Sequence, residues 1–145
     1  MYKTENWNET DTPITVWLGG GPGESGQFGN FLANGPLRIS EELVFNNLTN
    51  SSDVLFNVKN YPGGSWANNA TMIYVDQPWM TGFSYSSDNS TVEFWGDCMR
   101  YFGNFMDNLY DMYPEFSGRP LIFTGESYAA KYFSIFAYYL ETLNE

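Results

Sequence analysis

The sequence predicts an α/β fold in which a mostly parallel sheet is covered by helices. Three observations carry this prediction. Three short apolar runs, typical of buried strands, are separated by long segments. A stretch with helical hydrophobic periodicity lies between the second and third runs, and a serine joins the third run to a last apolar helix. Strands that alternate with helices pair in parallel through βαβ connections. With 145 residues, the chain is about as long as one domain or part of one.

The first strand is predicted at Ile14–Leu18, a β-branched and apolar run that stops at the loop Gly19-Gly-Gly-Pro-Gly23. This pattern is typical of a buried strand that enters a tight loop. Three consecutive glycines also let the backbone approach another group closely. The loop is therefore either a simple tight turn or a site of close backbone approach.

The middle of the chain has weaker patterns. Residues 26–36 are rich in Gly, Asn and Phe without a clear period, and residues 39–64 alternate short apolar runs with Asn and Ser clusters. Short strands or turns are predicted in the second of these segments. A second buried strand is predicted at residues 72–76, ended by Gln77-Pro78.

From Ser90 the hydrophobic period becomes helical, with apolar residues three and four apart: Trp95, Cys98, Met99, Phe102, Phe105, Met106, Leu109 and Met112. This spacing predicts an amphipathic helix of about twenty residues. Ser90 and Glu93 have the spacing of a capping box at its start. Cys98 lies on the apolar side, which favours a buried free thiol over half of a disulfide with a distant partner.

A serine stands where the third strand meets the last helix. The strand is predicted at residues 121–124 and the helix, apolar almost all round and so expected to be buried, at residues 128–143. Between them, Gly125-Glu-Ser-Tyr-Ala129 fits the nucleophile-elbow pattern G-x-S-x-G with Ala in the last place. Ser127 is the candidate nucleophile. The elbow predicts an oxyanion hole made by the N–H of Tyr128 and an N–H from the Gly19 loop.

Charge and composition exclude several classes of partner and cofactor. The 17 acidic and 6 basic residues give a net charge of −11, which argues against nucleic acid or an anionic membrane surface as partner. No apolar run is long enough to predict a membrane span. No metal or nucleotide cofactor is predicted, because the chain has no histidine, one cysteine and no phosphate-binding glycine pattern. The sequence does not determine the oligomeric state.

Five N-x-Ser/Thr sequons predict a secretory route and surface glycosylation. Their acceptor residues are Asn8, Asn47, Asn50, Asn69 and Asn89.

Three blocks together resemble the serine carboxypeptidases, in the order and spacing of that family: "VWLGGGPGESGQFGNFLANGP", "SWANNATMIYVDQPWMTGFSYS" and "YPEFSGRPLIFTGESYAAKYFSIFAYYL". The resemblance implies an α/β-hydrolase fold, with a parallel-rich central sheet and helices on both faces, of which this chain is an incomplete part. It also implies acid-favouring removal of C-terminal residues from peptides, in a lysosomal, vacuolar or extracellular setting.

By the same resemblance, Ser127 matches the nucleophile, Gly21 and Tyr128 match the oxyanion donors, and Trp17 and Glu126 match residues that bind the substrate's terminal carboxylate. Glu126 would have to be protonated to donate a hydrogen bond to that carboxylate, since like charges resist ionising together. This accounts for activity at acid pH.

The chain also departs from the family pattern. Gly19 replaces an Asn that binds the carboxylate, Glu24 replaces a Cys that forms a disulfide, and Ala33 replaces a Glu. Trp79 and Met80 replace smaller residues. Two further hypotheses follow. One is a carboxypeptidase-like acyltransferase, esterase or endopeptidase with altered carboxylate recognition, and the other is a non-catalytic secreted binding protein on the same scaffold.

In α/β-hydrolases the acid and the histidine of the triad follow the serine. Only 18 residues follow Ser127, and none is histidine. We therefore expect residues 1–145 to be the N-terminal part of a single α/β-hydrolase domain, without the C-terminal part that holds the acid and the His. Alone, these residues are expected to be inactive, because they lack a general base.

Overall fold

The computed structural model describes residues 1–4, 8, 11–61, 63–88 and 90–143. Its strands, in chain order, are β1 (Ile14–Leu18), β2 (Leu37–Asn46), β3 (Ser51–Asn60), β4 (Thr71–Val75) and β5 (Leu121–Gly125). Its helices are α1 (Gly26–Phe28), which continues as a π-helical turn (Gly29–Ala33), α2 (Trp95–Met112) and α3 (Ala129–Leu143). Short 3-10 turns lie at Trp66–Asn68 and Pro114–Phe116.

The central sheet is parallel and has the order β4-β1-β5. Ile14 at the start of β1 pairs with Thr71 in β4 and with Leu121 in β5. Tyr2 forms an isolated antiparallel bridge with Met72. The three predicted buried strands are confirmed, each within one residue at either end. Their parallel pairing brings the carboxyl ends of β1, β4 and β5 to one edge of the sheet, where ligands of open α/β sheets bind.

The main core lies between the sheet and the two long helices. Every residue of β1 is buried, and its Ile14, Val16 and Leu18 belong to one cluster with the buried side chains of α2 and α3. Phe102 of α2 stacks on Phe136 of α3 with ring centroids 4.0 Å apart. Burying a side chain of this kind is worth about 1.5–3 kcal/mol. This packing holds β1 and β5 against α2 and α3, and the site lies at the carboxyl ends of these two strands.

A second, smaller cluster contains Trp17, Ala67, Met72 and Tyr74. Trp17 alternates along β1 with Val16 and Leu18, so it lies on the opposite face of the sheet from α2 and α3. Gly29, in the π-helical turn, packs directly on the Trp17 indole. Helical segments therefore contact both faces of the sheet, as predicted for this fold class.

The predicted capping box at the start of α2 is wrong. The helix begins at Trp95, and its N-cap residue Phe94 makes no side-chain capping bond. Ser90 is instead held in a loop. Its N–H donates to the Asp88 carboxylate at 3.0 Å, and its carbonyl accepts the Trp79 indole N–H at 2.8 Å. These bonds keep Ser90 out of the helix.

The β2–β3 hairpin is longer than the short strands or turns that the sequence predicted. Its two strands pair antiparallel over ten residues each, from Leu37↔Asn60 to Asn46↔Ser51. Leu43 and Phe56 on these strands are 74% and 67% exposed. Clean alternation between buried and exposed positions is the signal that predicts a strand, and it is absent here because little of the hairpin is buried.

The last helix is buried on one face rather than all round. Ala129, Tyr132 and Phe136 lie in the main core, whereas Tyr138 is 67% exposed. In the part of the chain that the structure describes, the opposite face of α3 is therefore open to solvent. The prediction of a buried helix is confirmed for the face that packs on the main core and wrong for the opposite face.

Candidate active site

Ser127 lies at the turn between β5 and α3. Its backbone is left-handed, with φ 54°, a conformation that costs a residue with a side chain of order 1–3 kcal/mol. The chain enters the helix at once, since the N–H of Ala130 donates to the carbonyl of Ser127 at 3.2 Å. The serine side chain is exposed at the carboxyl edge of the sheet. This is the geometry of a nucleophile elbow.

The small residues that flank the elbow are required by packing. A Cβ on Gly125 would lie 2.6 Å from the Cβ of Ala129 and would overlap the Leu18 carbonyl of the neighbouring strand. Ala129 is itself fully buried. The first and last positions of G-x-S-x-A therefore have no room for larger side chains, which explains the pattern in physical terms.

The glycine loop after β1 reaches the serine. A Cβ on Gly20 would lie 2.9 Å from the Cβ of Ser127 and 3.3 Å from its Oγ. Gly21 and Gly23 have φ values of 102° and 87°, which favour glycine. Of the two alternatives left open by the sequence, close backbone approach is the one observed. Sequence reasoning did not single out Gly20, although the run of three glycines contained the signal.

Glu24 closes this loop from its far end. Its carboxylate accepts the N–H of Gly20 at 2.7 Å, and its own N–H donates to the Gly20 carbonyl at 3.2 Å. Both backbone polar groups of Gly20 are thus bonded to one residue. Sequence reasoning noted Glu24 only as a departure from a pattern and missed this contact.

Asp76 and Asp97 precede Ser127 in the chain, which is not the triad order of α/β-hydrolases, and both have other partners. Asp76 accepts Ser25 Oγ at 2.5 Å and the N–H of Phe83 at 2.9 Å, so it links the loop after β4 to the start of α1. Asp97 pairs with Arg100 at 3.2 Å within α2. Asp76 therefore has a structural role in shaping the loops around the site.

The other residues predicted for the site are spread around Ser127. The Tyr128 ring stacks on Trp95 at 5.9 Å, and the Lys131 ammonium lies 4.7 Å from the centre of the same ring. Glu126 is exposed beside the serine. Trp17 is buried, with 7% of its surface exposed, and its ring packs edge-on against Trp66 with centroids 5.7 Å apart. Glu126 is thus accessible, whereas Trp17 lies under the turn that contains Gly29.

An apolar pocket of about 370 Å³ opens between the glycine loop and the start of α2. Its lining includes Pro22, Met80, Trp95, Cys98, Tyr128 and Tyr132. Burial raises the pKa of Tyr132 to about 12 and also raises the pKa of the Cys98 thiol. Cys98 is buried, as its place on the apolar side of the helix predicted, and it is the single cysteine of these 145 residues. Both groups are therefore neutral near pH 7, and neither is an activated nucleophile.

Comparisons with known proteins identify the family of this chain. The sequence model of the serine carboxypeptidases matches residues 1–145. The chain belongs to the serine carboxypeptidase family. It is 34% identical over 133 residues to the pheromone-processing carboxypeptidase KEX1 of Ajellomyces capsulatus, covering 91% of this chain and 19% of that protein.

Two further relatives of this serine carboxypeptidase chain are similar over most of its length. KEX1 of Lodderomyces elongisporus is 39% identical over 118 residues, which cover 80% of this chain and 14% of that protein. The serine carboxypeptidase S10 family member 2 of Dictyostelium discoideum is 35% identical over 139 residues, covering 95% of this chain and 23% of that protein. The chain thus spans less than a quarter of the length of these relatives.

Two of the departures from the serine carboxypeptidase pattern have a visible structural context. A Cβ on Gly19 would lie 2.6 Å from the carbonyl oxygen of Glu24, so a side chain at position 19 does not fit this loop. Ala33 ends the π-helical turn, and its carbonyl accepts Arg38 Nη2 at 2.6 Å. The side chains of Asn and Glu that the family pattern places at these positions are absent from the site.

The predicted glycosylation sites are at the surface where the structure describes them. Asn47 and Asn50 lie in the exposed turn between β2 and β3, and Asn8 and Asn69 are also exposed. Asn89 lies outside the described residues. Among the helices described, none is both long and apolar enough to cross a membrane.

Proposed function

We propose that this chain is the nucleophile-bearing part of a serine carboxypeptidase that removes C-terminal residues from peptides or proteins. The observation that carries the proposal is the contact between the strained Ser127 elbow and the glycine loop at Gly20. A nucleophile and a loop of backbone amides at one sheet edge are the two parts that acyl transfer needs. Membership of the family supplies the reaction class.

In the proposed reaction, Ser127 Oγ attacks the carbonyl carbon of the last peptide bond and passes its proton to a general base. The N–H groups of Gly21 and Tyr128 stabilise the oxyanion that forms. The C–N bond then breaks, the terminal residue leaves with a proton from the base, and water hydrolyses the acyl-enzyme. The base and its acid are proposed to be a His and an Asp outside these 145 residues, in the rest of one α/β-hydrolase domain.

Recognition of the substrate's carboxylate is proposed to involve Trp17 and Glu126. Exposure of Glu126 beside Ser127 supports its part in this role. Gly19 and Ala33 favour a second candidate, since neither has a side chain that can bind a carboxylate. That candidate is a related acyltransferase, esterase or endopeptidase that uses the same nucleophile.

One experiment on the full-length protein separates these functions. Matched peptides with free and amidated C-termini are incubated with the enzyme, and the products are identified by mass spectrometry. A carboxypeptidase releases the last residue from the free form only, whereas the second candidate does not depend on the free carboxylate. Failure of a fluorophosphonate probe to label wild-type protein, with Ser127→Ala as the blank, would instead indicate a binding protein without catalysis.

Residues 1–145 alone are proposed to be inactive on the same peptides, since a chain without its base retains only the residual rate from binding and the oxyanion hole. Measurable Ser127-dependent cleavage by the isolated chain would contradict this. A secretory location, lysosomal, vacuolar or extracellular, is proposed from the exposed sequons. A mobility shift on enzymatic deglycosylation, reduced when Asn47 and Asn50 are replaced by Gln, tests the secretory route.

A further inference from the structure

The strongest unexplained feature of the site is the double contact between Glu24 and Gly20. The Glu24 carboxylate reaches back four residues to the Gly20 N–H at 2.7 Å, and the Glu24 N–H returns to the Gly20 carbonyl at 3.2 Å. A hydrogen bond to a carboxylate is stronger than one between neutral groups. Glu24 therefore clamps a loop that has little rigidity of its own, because glycines are conformationally permissive.

This clamp acts directly beside the nucleophile. The α-carbon of Gly20 faces Ser127. A Cβ added to Gly20 would lie 2.9 Å from the Cβ of Ser127. The N–H of Gly20 points to Glu24. The next amide along the chain is that of Gly21, the proposed oxyanion donor. The Gly21 amide shares its peptide plane with the Gly20 carbonyl, which accepts the backbone N–H of Glu24 at 3.2 Å. The Glu24 carboxylate holds the preceding plane through the Gly20 N–H, so it fixes Gly20 and thereby the start of the plane that carries the Gly21 amide.

Two departures from the family pattern belong to the same arrangement. An added Cβ at Gly19 would lie 2.6 Å from the carbonyl oxygen of Glu24 and 3.1 Å from its Cβ. The loop that Glu24 closes therefore requires glycine at position 19. Gly19 and Glu24 are best understood as one structural unit rather than as two independent losses.

We propose that Glu24 is a positioning residue that orients the oxyanion-binding loop by holding the Gly20 peptide. This inference rests on the proposed function, since it concerns the same site. Its consequence is specific to the transition state, where the oxyanion forms. Loss of the clamp is expected to lower kcat and leave KM nearly unchanged.

The experiment compares Glu24→Gln, Glu24→Asp and Glu24→Ala in the full-length protein. Glu24→Gln keeps the reach of the acceptor oxygen but loses the charge, and Glu24→Asp keeps the charge but is one methylene too short. We expect kcat to fall roughly 10- to 100-fold in Glu24→Asp and Glu24→Ala, the scale of a small misplacement of a catalytic group. Glu24→Gln is expected to lose less than either. Glu41→Ala, which removes an exposed carboxylate on the β2–β3 hairpin, is the matched control.

A second readout does not need activity. Hydrogen–deuterium exchange of the segment that contains Gly20 should accelerate in Glu24→Asp and Glu24→Ala and stay closer to wild type in Glu24→Gln. The inference is overturned if Glu24→Asp keeps wild-type kcat and exchange, or if Glu24→Gln is as impaired as Glu24→Ala. If Glu24→Ala does not fold, the Gln and Asp variants decide. An inactive wild-type enzyme would refute the proposed function, while the exchange order would still test the clamp.

Discussion

Gly20 and Ser127, 107 positions apart in the chain, are in direct contact: a methyl group on Gly20 would lie 3.3 Å from Ser127 Oγ. The contact joins the end of β1 to the turn after β5, and these two strands are neighbours in the sheet. Adjacent parallel strands end at the same edge, so the loop and the elbow meet without any long connection. The proposed catalytic unit is thus a direct product of the strand order.

This contact predicts the effect of Gly20→Ala. The added methyl group would push Ser127 or the loop by several tenths of an ångström, since 2.9 Å between Cβ atoms is too close. We expect kcat/KM of the full-length enzyme to fall roughly 100-fold. Gly63→Ala is the control, because no heavy atom lies within 4 Å of its added Cβ. Equal activity in the two variants would contradict the contact.

The left-handed backbone of Ser127 predicts that glycine at this position is more stable than alanine. Ser127→Gly relieves the strain at φ 54°, and it should be more stable than Ser127→Ala by about 1 kcal/mol. Both variants should be inactive. Urea unfolding of the two full-length variants measures the difference. A less stable glycine variant would show that the serine is not strained.

Met80 provides a second test of backbone strain. It has φ 70° in the loop after β4, at the rim of the apolar pocket, and is 55% exposed. Met80→Gly should be about 1 kcal/mol more stable than Met80→Ala, since both lose the side-chain contacts beyond Cβ and only glycine accepts this conformation freely. Thermal unfolding of both full-length variants gives the order. The reverse order would place Met80 in an ordinary backbone region.

The buried thiol of Cys98 predicts slow alkylation of the native protein. Burial, and then the nearby Asp97 charge, raise its pKa, so less thiolate is present at any pH than for an exposed cysteine. Native full-length protein should therefore react slowly with iodoacetamide at pH 8 and rapidly after unfolding in urea. Mass spectrometry of the Cys98 peptide measures both rates, with Cys98→Ser as the blank. Fast labelling of the native protein, or a disulfide at Cys98, would contradict the structure.

Local pattern was enough for the strands that carry the site. In β1, all five residues are apolar or β-branched and buried, so the run itself marks the strand. It was not enough for the start of α2, where the spacing of Ser90 and Glu93 matched a cap but tertiary bonds from Asp88 and Trp79 hold Ser90 elsewhere. The hairpin strands were underestimated because exposed strands do not alternate between core and solvent.

The sequence by itself determined the α/β class, the three parallel strands and the serine elbow. Each depends on hydrophobic period and small residues that are close together in the chain. Only the tertiary structure decided that Gly20 touches Ser127, that Glu24 clamps Gly20, and that Trp17 is buried under Gly29. These contacts depend on how loops from separate strands fold over one sheet edge. Steric exclusion and hydrogen bonding between the loops then select one arrangement, and no local pattern records that choice.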